Sequence, residues 1–131
     1  MKKKIVLWII LGVVFISCDP TQTIEFQNKC ESSSIIKLYF NGKDYYKFDK
    51  FLTKDSLILQ LEPTEKEIFN FGLGTWNVHN SLDSLVSRVD KIRIETEKST
   101  ELFESKSQVD AFFRDRLIDD RYMARIIIEI K

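Results

Sequence analysis

From residue 24 onward the chain alternates apolar and polar positions more often than it repeats them at helical spacing, which is the signature of half-buried strands. Ile24 and Phe26 alternate with polar neighbours, and a stronger run follows at Ile35-Ile36-Lys37-Leu38-Tyr39-Phe40. Asn41-Gly42 then leads into Lys43-Asp44-Tyr45-Tyr46-Lys47-Phe48. Asn-Gly between strand-forming runs predicts a two-residue hairpin, because both positions tolerate positive φ. Leu57, Leu59 and Leu61 alternate up to Pro63, and Ile68, Phe69 and Phe71 run up to Gly72 and Gly74. A short strand at residues 76–78 is a further candidate. In residues 89–96, Ile92 and Ile94 face in while Arg93 and Glu95 face out. The last strand is the clearest: Tyr122, Ala124, Ile126, Ile128 and Ile130 share a face, Arg125 and Glu129 take the other, and Ile127 suggests cover on both sides.

Two segments depart from this pattern. Leu82, Leu85, Val86 and Val89 recur at helical spacing behind Ser81 and predict a short helical turn. Val109, Phe112, Phe113 and Leu117 fall on one helical face, with Ser107 and Asp110 spaced as a capping box, which predicts a helix of about three turns. Residues 24–131 therefore read as one mainly β domain of about seven or eight strands, with one short helix before the last strand. A two-layer β-sandwich fits best, and a small β-barrel packed on one helix is the alternative.

Ahead of the domain, Lys2, Lys3 and Lys4 precede an uncharged apolar run of twelve residues, 5–16, too short to span a membrane as a helix. Residues 1–17 read as a signal peptide and 18–23 as a polar tether. Phe15-Ile16-Ser17-Cys18 resembles the lipobox of bacterial lipoproteins. That resemblance implies cleavage before Cys18, a diacylglycerol thioether on its sulfur and acylation, palmitate included, of the new amine. Two or more chains anchor stably at about 0.8 kcal/mol per buried methylene. In enterobacterial lipoproteins an acidic residue in the position of Asp19 resembles an inner-membrane retention signal; leaflet and membrane stay open here. The expected location is the cell envelope, facing the periplasm or the exterior.

The strand ending in Phe26-Gln27-Asn28, the Leu61-Glu62-Pro63 step, the Val89-Asp90-Lys91-Ile92-Arg93-Ile94 strand and the terminal strand led by Tyr122 look like the small lipoproteins of Bacteroidota. Many of these are similar to immunoglobulin-like sandwiches and have no assigned activity. Asp55-Ser56-Leu57 and Asp83-Ser84-Leu85 resemble the O-glycosylation acceptor of exported proteins in that group, marking Ser56 and Ser84.

Charge and composition narrow the chemistry. The full chain balances 20 basic against 20 acidic residues, but removing the 17 leader residues with their three lysines leaves 114 residues, 17 basic groups against 20 acidic and a formal charge of −3. That mild acidity argues against nucleic acid as a partner. Two cysteines, one histidine and four glycines exclude a disulfide-stapled miniprotein, a multi-cysteine zinc module and a glycine-rich nucleotide fold. With Cys18 on lipid, Cys30 is either buried or paired between chains. His79 stands alone, no serine sits in a nucleophile elbow, and Asp115, Asp119, Asp120, Glu101 and Glu104 match no calcium loop and are interleaved with arginines. Nothing implies a metal, a cofactor or an enzyme.

The hairpin supplies the one specific surface. Its register pairs Phe40 with Lys43, Leu38 with Tyr45 and Ile36 with Lys47 on the core side, and Tyr39 with Asp44, Lys37 with Tyr46 and Ile35 with Phe48 on the other. Tyr39 and Tyr46 near Lys37 and Asp44 make a flat aromatic surface with polar edges, suited to stacking on a sugar ring or anchoring a protein. Such a group is otherwise a cross-strand cluster that shields a sheet face. Trp76 belongs either to this surface or to the core. The expected role is a membrane-anchored binding or scaffolding module for an envelope protein or glycan, with an enzyme-occluding inhibitor or immunity lipoprotein as the alternative.

Overall fold

The computed structural model describes residues 19–42, 52–53, 55–77, 81–120 and 122–131. They form nine strands and two helices: β1 (Thr21–Asn28), β2 (Ser34–Phe40), β3 (Leu52–Thr53), β4 (Ser56–Leu61), β5 (Lys66–Leu73), α1 (Ser81–Arg88), β6 (Val89–Glu95), β7 (Thr100–Phe103), α2 (Lys106–Arg114), β8 (Leu117–Asp119) and β9 (Ala124–Ile130). One sheet has the order β5-β1-β9-β8 and the other β3-β4-β2-β6-β7. The domain is a two-layer β-sandwich, and among the described residues neither sheet closes into a barrel.

Alternation decides which side chains fill the space between the layers. Ile24, Phe26, Phe69, Ala124, Ile126, Ile128 and Ile130 come from the first sheet and Ile36, Leu38, Leu57, Leu59, Leu61, Ile92 and Ile94 from the second, all buried in one cluster. Fully burying an aliphatic or phenylalanine side chain of this kind stabilises the fold by about 1.5–3 kcal/mol. Phe26 and Phe69 meet edge to face at 6.0 Å. β1 lies parallel to β9 and antiparallel to β5, and the ladder with β5 shifts by one residue beside Gly72, whose φ of 129° suits a bulge.

The helices sit in the connections and pack against each other and against β6, with α2 also touching β7. Leu82, Leu85 and Val86 of α1 and Val109, Phe112 and Phe113 of α2 face inward. Phe112 continues the apolar layer by packing against Phe103, ring centres 4.8 Å apart. Lys106 Nζ donates to the carbonyls of Val86 (3.1 Å), Ser87 (2.8 Å) and Val89 (3.4 Å), placing a cation where α1 exposes its last acceptors.

Several local expectations are corrected. The capping box is Ser105 with Gln108, two residues ahead of the Ser107 and Asp110 pair, and α2 stops at Arg114. Leu117 consequently belongs to β8. The helical turn after Ser81 is a full α-helix, so the domain has two helices rather than one. Strand pairing begins at Thr21, before the first apolar alternation, because Gln22 and Thr23 already pair with Ala124 and Arg125 of β9. Tyr122 lies before β9 and is exposed, and Trp76 and Asn77 form a turn rather than a strand.

The hairpin expectation fails on the edges of β2. One edge pairs with β4, setting Ile36 against Leu59 and Leu38 against Leu57; the other pairs with β6, setting Ile36 against Ile94 and Leu38 against Ile92. No edge of β2 is left for residues 43–48, which themselves lie outside the described residues. Gly42 has a φ of 133° but Asn41 is not among the positive-φ residues, so the type I′ geometry is not formed.

The turn from β4 to β5 carries strain. The Glu65 amide donates to the Glu62 carbonyl at 3.0 Å, with Pro63 and Thr64 between them and a φ of 66° at Thr64. That is the pattern of a type II turn, which favours glycine at the third position. Thr64→Gly is expected to raise stability by about 1 kcal/mol by removing a left-handed β-branched residue, read as a higher denaturant midpoint at unchanged slope.

Candidate functional site

The outer face of the five-stranded sheet gathers the side chains that point away from the core. Register places Gln60, Ile35, Glu95 and Thr100 in one row across β4, β2, β6 and β7. Ile58, Lys37, Arg93 and Leu102 form the next row, and Ser56, Tyr39 and Lys91 the third. Ile58 and Leu102 are both exposed at the ends of the middle row, Lys37 and Arg93 are half-buried at its centre, and Tyr39 is half-buried in the row beside them.

Cations organise the middle of this face. Lys37 Nζ donates to Glu95 Oε1 at 3.1 Å, and Arg93 Nε lies 2.7 Å from the same oxygen but off its N–H axis, an ion pair rather than an aligned hydrogen bond. One carboxylate is thus shared by two cations. Lys91 Nζ donates to Glu104 at 2.7 Å and stands 5.8 Å from the centre of the Tyr39 ring, within cation–π range. Three cations against two carboxylates make this face locally basic on an acidic domain. Half-exposed ion pairs of this kind add little stability. Their effect is to hold Tyr39, Lys37 and Arg93 in fixed orientations between two apolar flanks.

Of the expected surface residues, the structure brings Tyr39 and Lys37 together here. Tyr46 and Asp44 lie outside the described residues. Trp76 is elsewhere: it is buried, its indole N–H donates to the Ala124 carbonyl at 3.0 Å, and its ring packs 5.1 Å from that of Phe71. Asp119 clamps that turn by accepting from the amides of Trp76 (2.9 Å) and Asn77 (3.1 Å). Ser56 is half-buried beside Tyr39, whereas Ser84 is exposed on α1. Lys91, Arg93, Glu95, Ile58 and Leu102 were not singled out from sequence as site residues. The alternation of residues 89–95 did place Arg93 and Glu95 outward, but nothing local set β6 beside β2.

Two grooves lie elsewhere among the described residues. One, of about 670 Å³, is lined by Asp115, Arg116, Ile118, Ile127 and Glu129. There Lys131, hydrogen-bonded at 2.8 Å, holds the Glu129 carboxyl below its ordinary value. The second, of about 310 Å³, includes Cys30 with Lys29, Lys98 and Lys131. Cys30 is a free thiol and half-buried rather than buried. Among the described residues no group of three or more histidine, cysteine or acidic side chains could hold a metal, and no helix is long and apolar enough to cross a membrane. His79 lies outside the described residues. The chain matches no protein-family model, no curated protein and no solved structure.

Proposed function

We propose that the chain is a lipid-anchored protein of the cell envelope whose domain binds an envelope protein or glycan through the outer face of the five-stranded sheet. The observation that carries this reading is the row Ile58-Lys37-Arg93-Leu102 beside Tyr39. Exposed aliphatic side chains flank cations already oriented by Glu95, with an aromatic ring alongside. A tyrosine with nearby arginine and apolar contacts is the composition that dominates binding energy at protein interfaces, and an aromatic ring also stacks on sugar faces. The Lys-rich start, the apolar run and Cys18 support lipid attachment, because they occur in the order an export leader requires.

The test uses the full lipidated protein in nanodiscs, probed with envelope glycan fragments and by cross-linking to envelope proteins. Tyr39→Ala and Leu102→Asp are each expected to weaken the captured interaction by about tenfold or more, the loss typical of a central contact. Ile68→Ala, on the outer face of the other sheet, is expected to leave it unchanged. Equal binding by all three variants overturns the assignment of the face. Capture of a single enzyme with loss of its activity would favour an inhibitor over a scaffold. Cys18→Ser is expected to abolish membrane partition, and unchanged partition overturns the anchor.

A further inference from the structure

The end of the sandwich where β1 begins carries a concentration of exposed apolar side chains. Thr21 pairs with Leu73 of β5 on one side, and Gln22 pairs with Ala124 of β9 on the other, which places Met123 and Tyr122 beside the start of β1. Leu73 is 74 % exposed, Tyr122 78 % and Met123 41 %. The backbone holds them firmly. The Gly74 amide donates to the Pro20 carbonyl at 2.8 Å, tying the end of β5 to the incoming chain. Asp120 Oδ1 accepts from the amides of Tyr122 (2.7 Å) and Met123 (2.8 Å), and the Asp120 amide donates to the Met123 carbonyl at 2.8 Å. Leu73, Tyr122 and Met123 are thus presented outward by bulge and turn geometry. Asp19, Asp120 and Arg125 are exposed charges beside them among the described residues.

We propose that this end rests in the headgroup region of a lipid bilayer, with Leu73, Tyr122 and Met123 as its interfacial contacts. The inference rests on the reading of Cys18 as the lipidated residue. Only Asp19 and Pro20 separate Cys18 from β1, and at about 3.5 Å per residue the lipid attachment lies within about 10 Å of Thr21. A tether that short cannot hold the domain clear of the surface. The end that must meet the membrane is the end that exposes a leucine, a methionine and a tyrosine, and a tyrosine at that depth keeps its ring in the acyl boundary and its hydroxyl in water. Burying apolar area there adds to the acyl anchor and fixes the tilt of the domain. β1 then points away from the bilayer and reaches Asn28 about 23 Å further out.

The experiment places a fluorophore on Met123→Cys, on Leu73→Cys and on Ile58→Cys, each in the full lipidated chain with Cys30→Ser, reconstituted in vesicles carrying nitroxide-labelled phosphatidylcholine. Flotation of the vesicles is measured first. The result expected is co-flotation with strong quenching at positions 123 and 73 and none at position 58, which lies on a different exposed face. Flotation with no quenching at 123 and 73, or equal quenching at all three positions, overturns the inference and leaves the anchor standing. Failure to float overturns the anchor and the inference together.

Discussion

Asn28→Ala is expected to lower stability by about 3–5 kcal/mol, among the largest effects of any single substitution in the domain. Asn28 is fully buried at the end of β1 and uses both ends of its amide. Its Nδ2 donates to the carbonyls of Ser32 (2.8 Å) and Leu61 (2.9 Å), and its Oδ1 accepts from the Cys30 amide (2.9 Å) and the Ser34 hydroxyl (3.1 Å). Its backbone extends the same knot, donating to Glu65 and accepting from Thr64. One side chain thereby joins the last residue of β1, the crossover to the other sheet and the end of β4. Truncation strands the Leu61 carbonyl and the Ser34 hydroxyl out of water, each costing about 1–3 kcal/mol, and unpairs the partly buried Ser32 carbonyl and Cys30 amide, although losses within one network do not add. Asn28→Asp keeps the shape but turns the donor into an acceptor facing two carbonyls, so it should destabilise at least as much. Denaturant unfolding of both variants checks this, and a loss below about 1 kcal/mol in each would show that water replaces the amide.

Trp76→Ala is expected to cost about 3–5 kcal/mol, the range for emptying a buried aromatic site. Trp76 is 1 % exposed and joins the first sheet to the loop entering α1 through its contact with Phe71 and its bond to Ala124. Trp76→Phe separates the two contributions. It keeps an apolar ring but removes the indole's bond to the Ala124 carbonyl, which also lies in the β1–β9 ladder, an expected loss of about 1 kcal/mol. The only other tryptophan is Trp8, so in a chain cleaved before Cys18, as the proposed lipid attachment requires, fluorescence reports this position alone. Its emission should be that of a buried indole and should not shift when a ligand occupies the face around Tyr39. A shift on binding would place the binding surface on the other sheet.

The six strands that were legible in the chain, β1, β2, β4, β5, β6 and β9, all have an alternating face that the sandwich buries, apart from the outer half of β5. Those missed have little such signal. β7 is an edge strand whose Thr100, Glu101 and Leu102 are all exposed, and β8 has three residues, the first of which continues a helical spacing by coincidence. The hairpin at Asn41-Gly42 shows the limit of local reasoning. A turn preference there competes with two ladders that bury Leu57, Leu59, Ile92 and Ile94 against β2, and burial of four aliphatic side chains outweighs it. The candidate face was legible in the same partial sense: Tyr39 and Lys37 were on it, while the side chains beside them came from distant strands.

What the amino-acid order determined alone is which side of each strand faces inward, because the period of two along a strand is local and each apolar position on it seeks burial. It also determined the leader-like start, the lipobox-like cysteine and the acidic balance of the rest. Which strands lie side by side was decided only by the tertiary structure. Lateral order depends on contacts far apart in the chain, such as Lys37 with Arg93 and Thr21 with Leu73, and no local periodicity encodes them. For that reason the cation row around Tyr39 and the apolar end beside Thr21 both emerge from the fold and not from any one segment.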